Sequence, residues 1–261
     1  TENTAFGTFS LYNNKGLSRS TAIGFKAMYY ANNSTSTGTT FNTAVGYEAL
    51  RGSLTAGNNT GINNTAIGDQ AMFSTTSGSN NAAVGSKALY ANTTGGQNTA
   101  IGALSLFSNT TGIENMASGH LALTGNMAGS YNTAVGSRSM QQSLSGSDNT
   151  AVGYYALFNN NGSSNVAVGS SAMEHNSTGI ENTSIGNASL YWNTGGSNNV
   201  TVGYLAGYNA EGSGNVMIGN GAGALETGSN KLYINNDNGD DTEALIYGDF
   251  NADLLRNNGH M

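Results

Sequence analysis

Acid–base chemistry needs histidines or carboxylates held close together, and this chain offers few. They are His120, His175 and His260, the adjacent pair Glu174–His175, and Glu114 and Glu181, which share the context Ile-Glu-Asn. The histidines fall in different phases of the sequence repeat and have no nucleophile pattern beside them, so neither a catalytic triad nor a zinc site is supported. Glu114 and Glu181 recur four repeats apart. Across four stacked β-coils that is roughly 19 Å, too far for the carboxylate pair of a glycoside hydrolase within one chain, though carboxylates from different subunits stay open. Gly219-Asn-Gly-Ala-Gly223 imitates a phosphate loop but keeps the phase of the repeat and leads into no helix. Six of the fifteen acidic residues fall between Asp237 and Asp253; without EF-hand spacing they read as a solvated acidic turn, with a calcium site as the alternative. The expectation is a chain with no catalytic residue, no cofactor and no metal.

Recognition chemistry is better represented. Tyr12, Tyr29, Phe73, Tyr90, Phe107, Phe158, Tyr191 and Tyr208 all stand five positions after a recurring glycine. Two uses are open for this aromatic column: packing between subunits, or a platform for sugar rings. A second column, represented by Asn42, Asn64, Asn98, Asn132, Asn149 and Asn182, stands four positions before the same glycine. Stacked Asn side chains bond to one another and to backbone, so this column is read as structural.

The glycine that phases both columns recurs thirteen times, at Gly7, Gly24, Gly46, Gly68, Gly85, Gly102, Gly119, Gly136, Gly153, Gly169, Gly186, Gly203 and Gly219. Eight of the twelve intervals are 17 residues, two are 16 and two are 22. So short a period means stacked coils of β-structure. The unit reads approximately Asn-Thr-Ala-Val-Gly-x-x-Ala-Leu-x-x-Asn-Thr-Thr-Gly-x-x, and Leu or Met at its ninth position gives way to Gly207 and Gly223 in the last two copies. Thr-Ala-Val alternates as a strand does, and the Thr position is filled by Met116, Val166, Val200 and Val216 elsewhere. That tolerance for apolar groups predicts that the Thr and Val positions line the interior. A second glycine about ten residues after the anchor marks another corner, so each coil is expected to hold two short strands and two turns, and thirteen coils a rod about 60 Å long.

Composition agrees with a ladder. The chain has 38 Gly, no Pro and no Cys, with 37% hydrophobic and 9% charged residues. A ladder that uses nearly every N–H excludes proline, and no disulfide or thiolate site holds the fold. A net charge of −7 disfavours nucleic acid and anionic membranes as partners. No apolar run approaches the 18 residues of a membrane span. The apolar residues are mostly small and are dispersed two or three to a coil, so lateral association is expected to complete their burial. The chain begins inside a repeat at Asn3-Thr-Ala-Phe-Gly7, as a piece of something longer would, and an export signal could precede it.

Tandem Asn-Thr-Ala-Val-Gly-x-x-Ala-Leu units resemble the YadA-type head repeats of trimeric autotransporter adhesins. They are still more similar to the longer repeats of phage and bacterial tail fibres that often end in an intramolecular endosialidase-type chaperone. Asn230-Lys-Leu-Tyr-Ile-Asn235 and Leu245-Ile-Tyr-Gly-Asp-Phe250 resemble the stretch that joins such repeats to the next segment of the fibre. The resemblance, over about residues 1–256, implies a homotrimer of left-handed parallel β-rolls that forms an extracellular fibre or head and adheres to a surface glycan or protein receptor. The longer unit and the 22-residue spacings depart from YadA heads.

The expected organisation is all-β: a β-solenoid of 17-residue coils over 1–228, a β-hairpin or small β-prism cap over 229–256 centred on Asp237-Asn-Gly-Asp240, and a tail or the start of a further segment over 257–261. Three functions remain: a trimeric shaft or receptor-binding head, a polysaccharide depolymerase with an inter-subunit acidic site, and an ice-binding module.

Overall fold

The computed structural model describes residues 2–31, 38–55, 58–237 and 244–258. The chain divides into two compact units, Thr1–Asn132 and Thr133–Met261, and each is a parallel β-solenoid whose coils follow the sequence repeat. No described residue is helical.

In the first unit the strands are β1 (Thr4–Phe6), β2 (Leu17–Ser18), β3 (Thr21–Ile23), β4 (Gly38–Thr39), β5 (Thr43–Val45), β6 (Thr65–Ile67), β7 (Ala82–Val84), β8 (Thr99–Ile101) and β9 (Met116–Ser118). Strands β1, β3 and β5 to β9 form one parallel ladder in chain order, while β2 and β4 pair beside it in the irregular early coils. Like pairs with like: Thr43 faces Thr65, Ala44 faces Ala66 and Val45 faces Ile67. The second unit repeats the scheme with β10 (Thr133–Val135), β11 (Thr150–Val152), β12 (Val166–Val168), β13 (Thr183–Ile185), β14 (Val200–Val202) and β15 (Val216–Ile218). Its ladder continues into β16 (Lys231–Ile234), which pairs parallel with β15. Then β17 (Ile246–Asp249) and β18 (Leu254–Asn257) add antiparallel strands, so the open edge of β15 is covered. Tyr233 and Tyr247 pack edge to face at 5.2 Å in this segment, and Lys231 Nζ meets Asp249 at 2.6 Å. The expected turn residues Asn238 to Asp240 lie outside the described residues.

Two expectations need correction. The expected second strand of each coil is absent among the regular coils described: each has one three-residue strand, and the rest is turns. The turns still bond coil to coil, as where Met72 N–H donates to Ala88 O at 2.9 Å and Leu89 N–H to Ser105 O at 3.0 Å. They do so by alternating backbone handedness, with Lys87 at φ 55° and Leu89 at φ 52° flanking the inward Ala88. Positive φ at ordinary residues costs about 1–2 kcal/mol each and persists only where stacked neighbours over-determine it.

The second correction is the facing of the strand. The central Ala of each regular strand is buried, at Ala66, Ala83 and Ala100 for example, whereas Ile67, Val84 and Ile101 are exposed and the Thr position is half-exposed. The interior is so thin at the strand that only a small side chain fits beneath it. Buried Leu or Met from the far turn, such as Met72, Leu89 and Leu106, fills the remaining space. Where the pattern breaks, it breaks in concert. Gly207 and Gly223 replace the inward Leu or Met, and Met217 replaces the strand Ala. A Cβ on Gly207 would lie 2.9 Å from Met217 Sδ, and one on Gly223 2.8 Å from it. One long side chain therefore fills the space that two shorter positions vacate.

The anchor glycine is fixed by its backbone. Gly102 has φ +127°, and a Cβ there would lie 2.6 Å from the carbonyl oxygen of Gly119. Neither the dihedral nor the approach admits another residue.

Candidate functional site

Within each unit the Asn column is a buried ladder. Asn98 Oδ1 accepts from the backbone N–H of Asn115 at 3.0 Å, and Asn98 Nδ2 donates to Gly112 O at 2.8 Å. Asn64, Asn149 and Asn182 make the same pair of bonds in their coils, and Asn42 bonds to Gly61 O and to the Asn64 N–H. The backbone N–H of Asn132 donates to Asn115 Oδ1 at 3.0 Å. Each rung needs an acceptor and a donor on one short side chain, which Asn has and ionised Asp lacks. A second ladder stands seven positions after the anchor: Asn109 Nδ2 donates to Asn92 Oδ1 at 3.0 Å and Asn126 Nδ2 to Asn109 Oδ1 at 2.8 Å, with Asn160, Asn176 and Asn193 repeating this in the second unit. Both ladders converge on the corner carbonyls, since Gly112 O accepts from Asn98 and from Asn109. The consensus contains this second Asn, but only the structure shows that it is buried.

The aromatic column is also real in space. Phe73, Tyr90 and Phe107 stack at 5.0 and 5.1 Å with nearly parallel planes, Tyr12 stacks on Tyr29 at 5.4 Å, and Tyr191 on Tyr208 at 5.0 Å. Phe158 is tilted against Tyr155 at 4.8 Å. Tyr12 is exposed and the other seven are half-buried. Within a stack the ring faces are covered by the rings above and below, so the column presents edges outward.

Two members of the column carry charge; sequence reading passed over Arg51 and weighed Glu174 only as the neighbour of His175. Arg51 occupies the aromatic position of its coil, with its guanidinium 4.5 Å from the Phe73 centroid and 5.2 Å from that of Tyr30. Glu174 does so in the second unit. It sits 3.7 Å from His175, which stacks on Trp192 at 4.0 Å. Burial, followed by the charge of Glu174, raises the pKa of Tyr191 above its ordinary value. Trp192 remains 42% exposed. The signal that could have found these residues was the exception to the column, not its rule.

For catalysis the structure assembles little. Glu174 and His175 are neighbours, and Glu174 hydrogen-bonds the Tyr191 hydroxyl; His120 is exposed, and His260 lies outside the described residues. Glu114 and Glu181 are exposed at the same phase of coils in different units. Of the acidic cluster, Asp240, Asp241 and Glu243 lie outside the described residues, and Asp249 is engaged with Lys231. Among the described residues no group of three or more His, Asp or Glu could hold a metal ion, and no helix is long and apolar enough to cross a membrane.

The remaining candidate is the outer face of the strands. In the first unit Phe6, Ile23, Val45, Ile67, Val84 and Ile101 rise in register beside the half-exposed Thr column, with Phe6 75% and Ile101 47% exposed. No charged residue occurs at either position in any of the thirteen repeats. The second unit continues the pattern with Val152, Ile185 and Ile218. Comparison with protein-family models, with curated proteins and with solved structures gives no match.

Proposed function

We propose that this chain is a non-enzymatic structural and adhesive module: a homotrimeric shaft or receptor-binding head of a tail fibre or surface adhesin, acting outside the cell or on a particle. The single observation that carries the reading is the outward, uncharged Thr and Val/Ile face. An apolar column repeated coil after coil is costly to leave in water, at about 25 cal/mol per Å². A parallel copy of the same chain presents the same columns at the same rise, so coil matches coil without any new sequence element. Closed rotational symmetry then covers every such face. The resemblance of the repeat to YadA-type heads and tail-fibre repeats supports three copies and an adhesive role. Many weak, equivalent contacts along three chains would give attachment by avidity.

The test is binding of labelled protein to a glycan array and to whole bacterial or host cells, beside an Ile67→Lys/Ile101→Lys variant. The wild type should be retained at least about a hundredfold better than a variant that no longer associates. Equal retention of a monomeric variant contradicts the avidity mechanism.

A second reading draws on the same face. Thr43, Thr65 and Thr99 stand half-exposed in one ladder, as an ice-binding face requires, although Ala82 and Met116 interrupt the rank. Thermal hysteresis in a nanolitre osmometer would favour it over adhesion.

A further inference from the structure

We propose that the cleft beside Arg51 is a binding site for one residue of an acidic, carboxylate-bearing saccharide. The proposal deepens the attachment reading and rests on it only for the ligand's being a surface glycan.

The cleft has a volume of about 310 Å³ and lies between Arg51, Leu54 and Phe73. That is the lower end of the range for small-molecule sites, enough for a single sugar residue. It occurs where the repeat is interrupted: the interval from Gly46 to Gly68 is 22 residues, and Ser53 and Leu54 of that interval form one wall. Insertions in stacked repeats commonly carry the binding face. This wall is held in place. Asn59 Oδ1 accepts from Ser53 N–H at 2.8 Å, while Asn59 Nδ2 donates to Tyr30 O at 2.7 Å and to Ser53 O at 2.9 Å. Gly52 passes close by at φ +81°, where a Cβ would lie 2.9 Å from Asn59 Oδ1.

Arg51 is pre-positioned as well. Phe73 and Tyr30 flank its guanidinium, and Glu48 Oε1 lies 3.6 Å from its Nε, with Glu48 Oε2 accepting from Gln70 at 3.1 Å. The two terminal nitrogens make no hydrogen bond among the described residues. A planar fork of uncommitted donors matches a carboxylate.

The rest of the cleft selects among anions. Thr76 Oγ1 already donates to Thr93 O at 3.0 Å, and Thr93 Oγ1 to Thr110 O at 3.0 Å. Ser53 Oγ accepts from Thr55 N–H at 3.2 Å. The threonine hydroxyls, having donated inward, offer lone pairs to the cleft. They complement hydroxyl donors, of which a sugar acid has several on its ring and hydrogen phosphate only one. Leu54, exposed, supplies an apolar edge for the ring's C–H groups.

The experiment is saturation-transfer NMR and calorimetry on the intact chain with methyl β-D-glucuronide, methyl β-D-glucoside and inorganic phosphate, with mass measured by light scattering on the same samples. Glucuronide should bind at least about tenfold more tightly than the glucoside, as a charged bidentate contact implies. Arg51→Gln should abolish that preference and Arg51→Lys should reduce it. Retention of the ladder by circular dichroism in Arg51→Lys separates loss of the fork from loss of the fold. Equal binding of the glucoside, equal binding of phosphate, or an Arg51→Gln chain that still prefers glucuronide would each overturn the site. A monomer that binds glucuronide keeps the cleft and sinks the fibre reading; a trimer that does not bind it does the reverse.

Discussion

The inward and outward columns of one coil obey different rules. Inward positions are set by size and hydrogen-bond count: Ala beneath the strand, Leu or Met from the far turn, Asn at both ladders. When one of them changes, a neighbour changes with it, as Met217 does for Gly207 and Gly223. Outward positions vary singly. The column five after the anchor holds rings, Thr124, Gln141 or Glu174 on the same kind of turn. Constraint thus locates the fold, and exceptions on the outside locate the places where a partner can be read.

The contrast is broken most severely at the anchor. Gly102→Ala should cost about 4 kcal/mol, a strained dihedral plus an overpacked contact at about 1–3 kcal/mol each, measured by chemical denaturation. A loss below about 1 kcal/mol would mean that the coils do not approach as closely as described. Next comes the ladder. Asn98→Asp keeps the shape but loses the donor to Gly112 O and buries a charge, so about 3 kcal/mol should be lost at neutral pH. Because desolvation raises the new carboxyl's pKa, the penalty should shrink in acid, where the protonated group can donate again.

The concerted change at Met217 can be tested by a double-mutant cycle. Gly207→Leu restores the common residue on a backbone that already has φ +62°, yet it collides with Met217 and should cost about 1–3 kcal/mol. Adding Met217→Ala should return at least about 0.5 kcal/mol relative to the sum of the single effects. Strict additivity would contradict the proposed compensation.

The smallest effect belongs to the half-buried ion pair of the terminal strands. The hydrogen bond to Lys231 lowers the Asp249 pKa below its ordinary 3.8, and the bond to Asp249 raises Lys231 above 10.5. The pair's contribution is therefore complete above the ordinary carboxylate value and fades as pH falls through the lowered one. On the alkaline side it holds below 10.5 and fades as pH rises through the raised lysine value. The NMR signals of Tyr233 and Tyr247 should report both limbs, and Asp249→Asn should remove the acid one.

Much of the fold was legible because stacking punishes the wrong residue at fixed phase: the anchor glycines, the Asn column and the aromatic column all gave their positions away. The facing of the strand was not. Met116 and Val166 at the Thr position suggested an apolar interior, yet the true sign of the interior was the smallness of Ala, since a thin coil excludes bulk before it excludes polarity. The turn that replaced the expected second strand was hidden for another reason. Lys87, Leu89 and Glu114 take positive φ, which nothing in their side chains requests; only the coils above and below impose it. Arg51 was overlooked, and Glu174 weighed only beside His175, because a column reads as its majority.

The central claim is that copies of this chain cover one another's outward Thr and Val/Ile faces. Light scattering over a range of concentrations tests it most directly. The account predicts a mass of about three times 26.6 kDa for the wild type. A stable 26.6 kDa species at every concentration would show that the face is tolerated in water and would contradict the trimeric fibre.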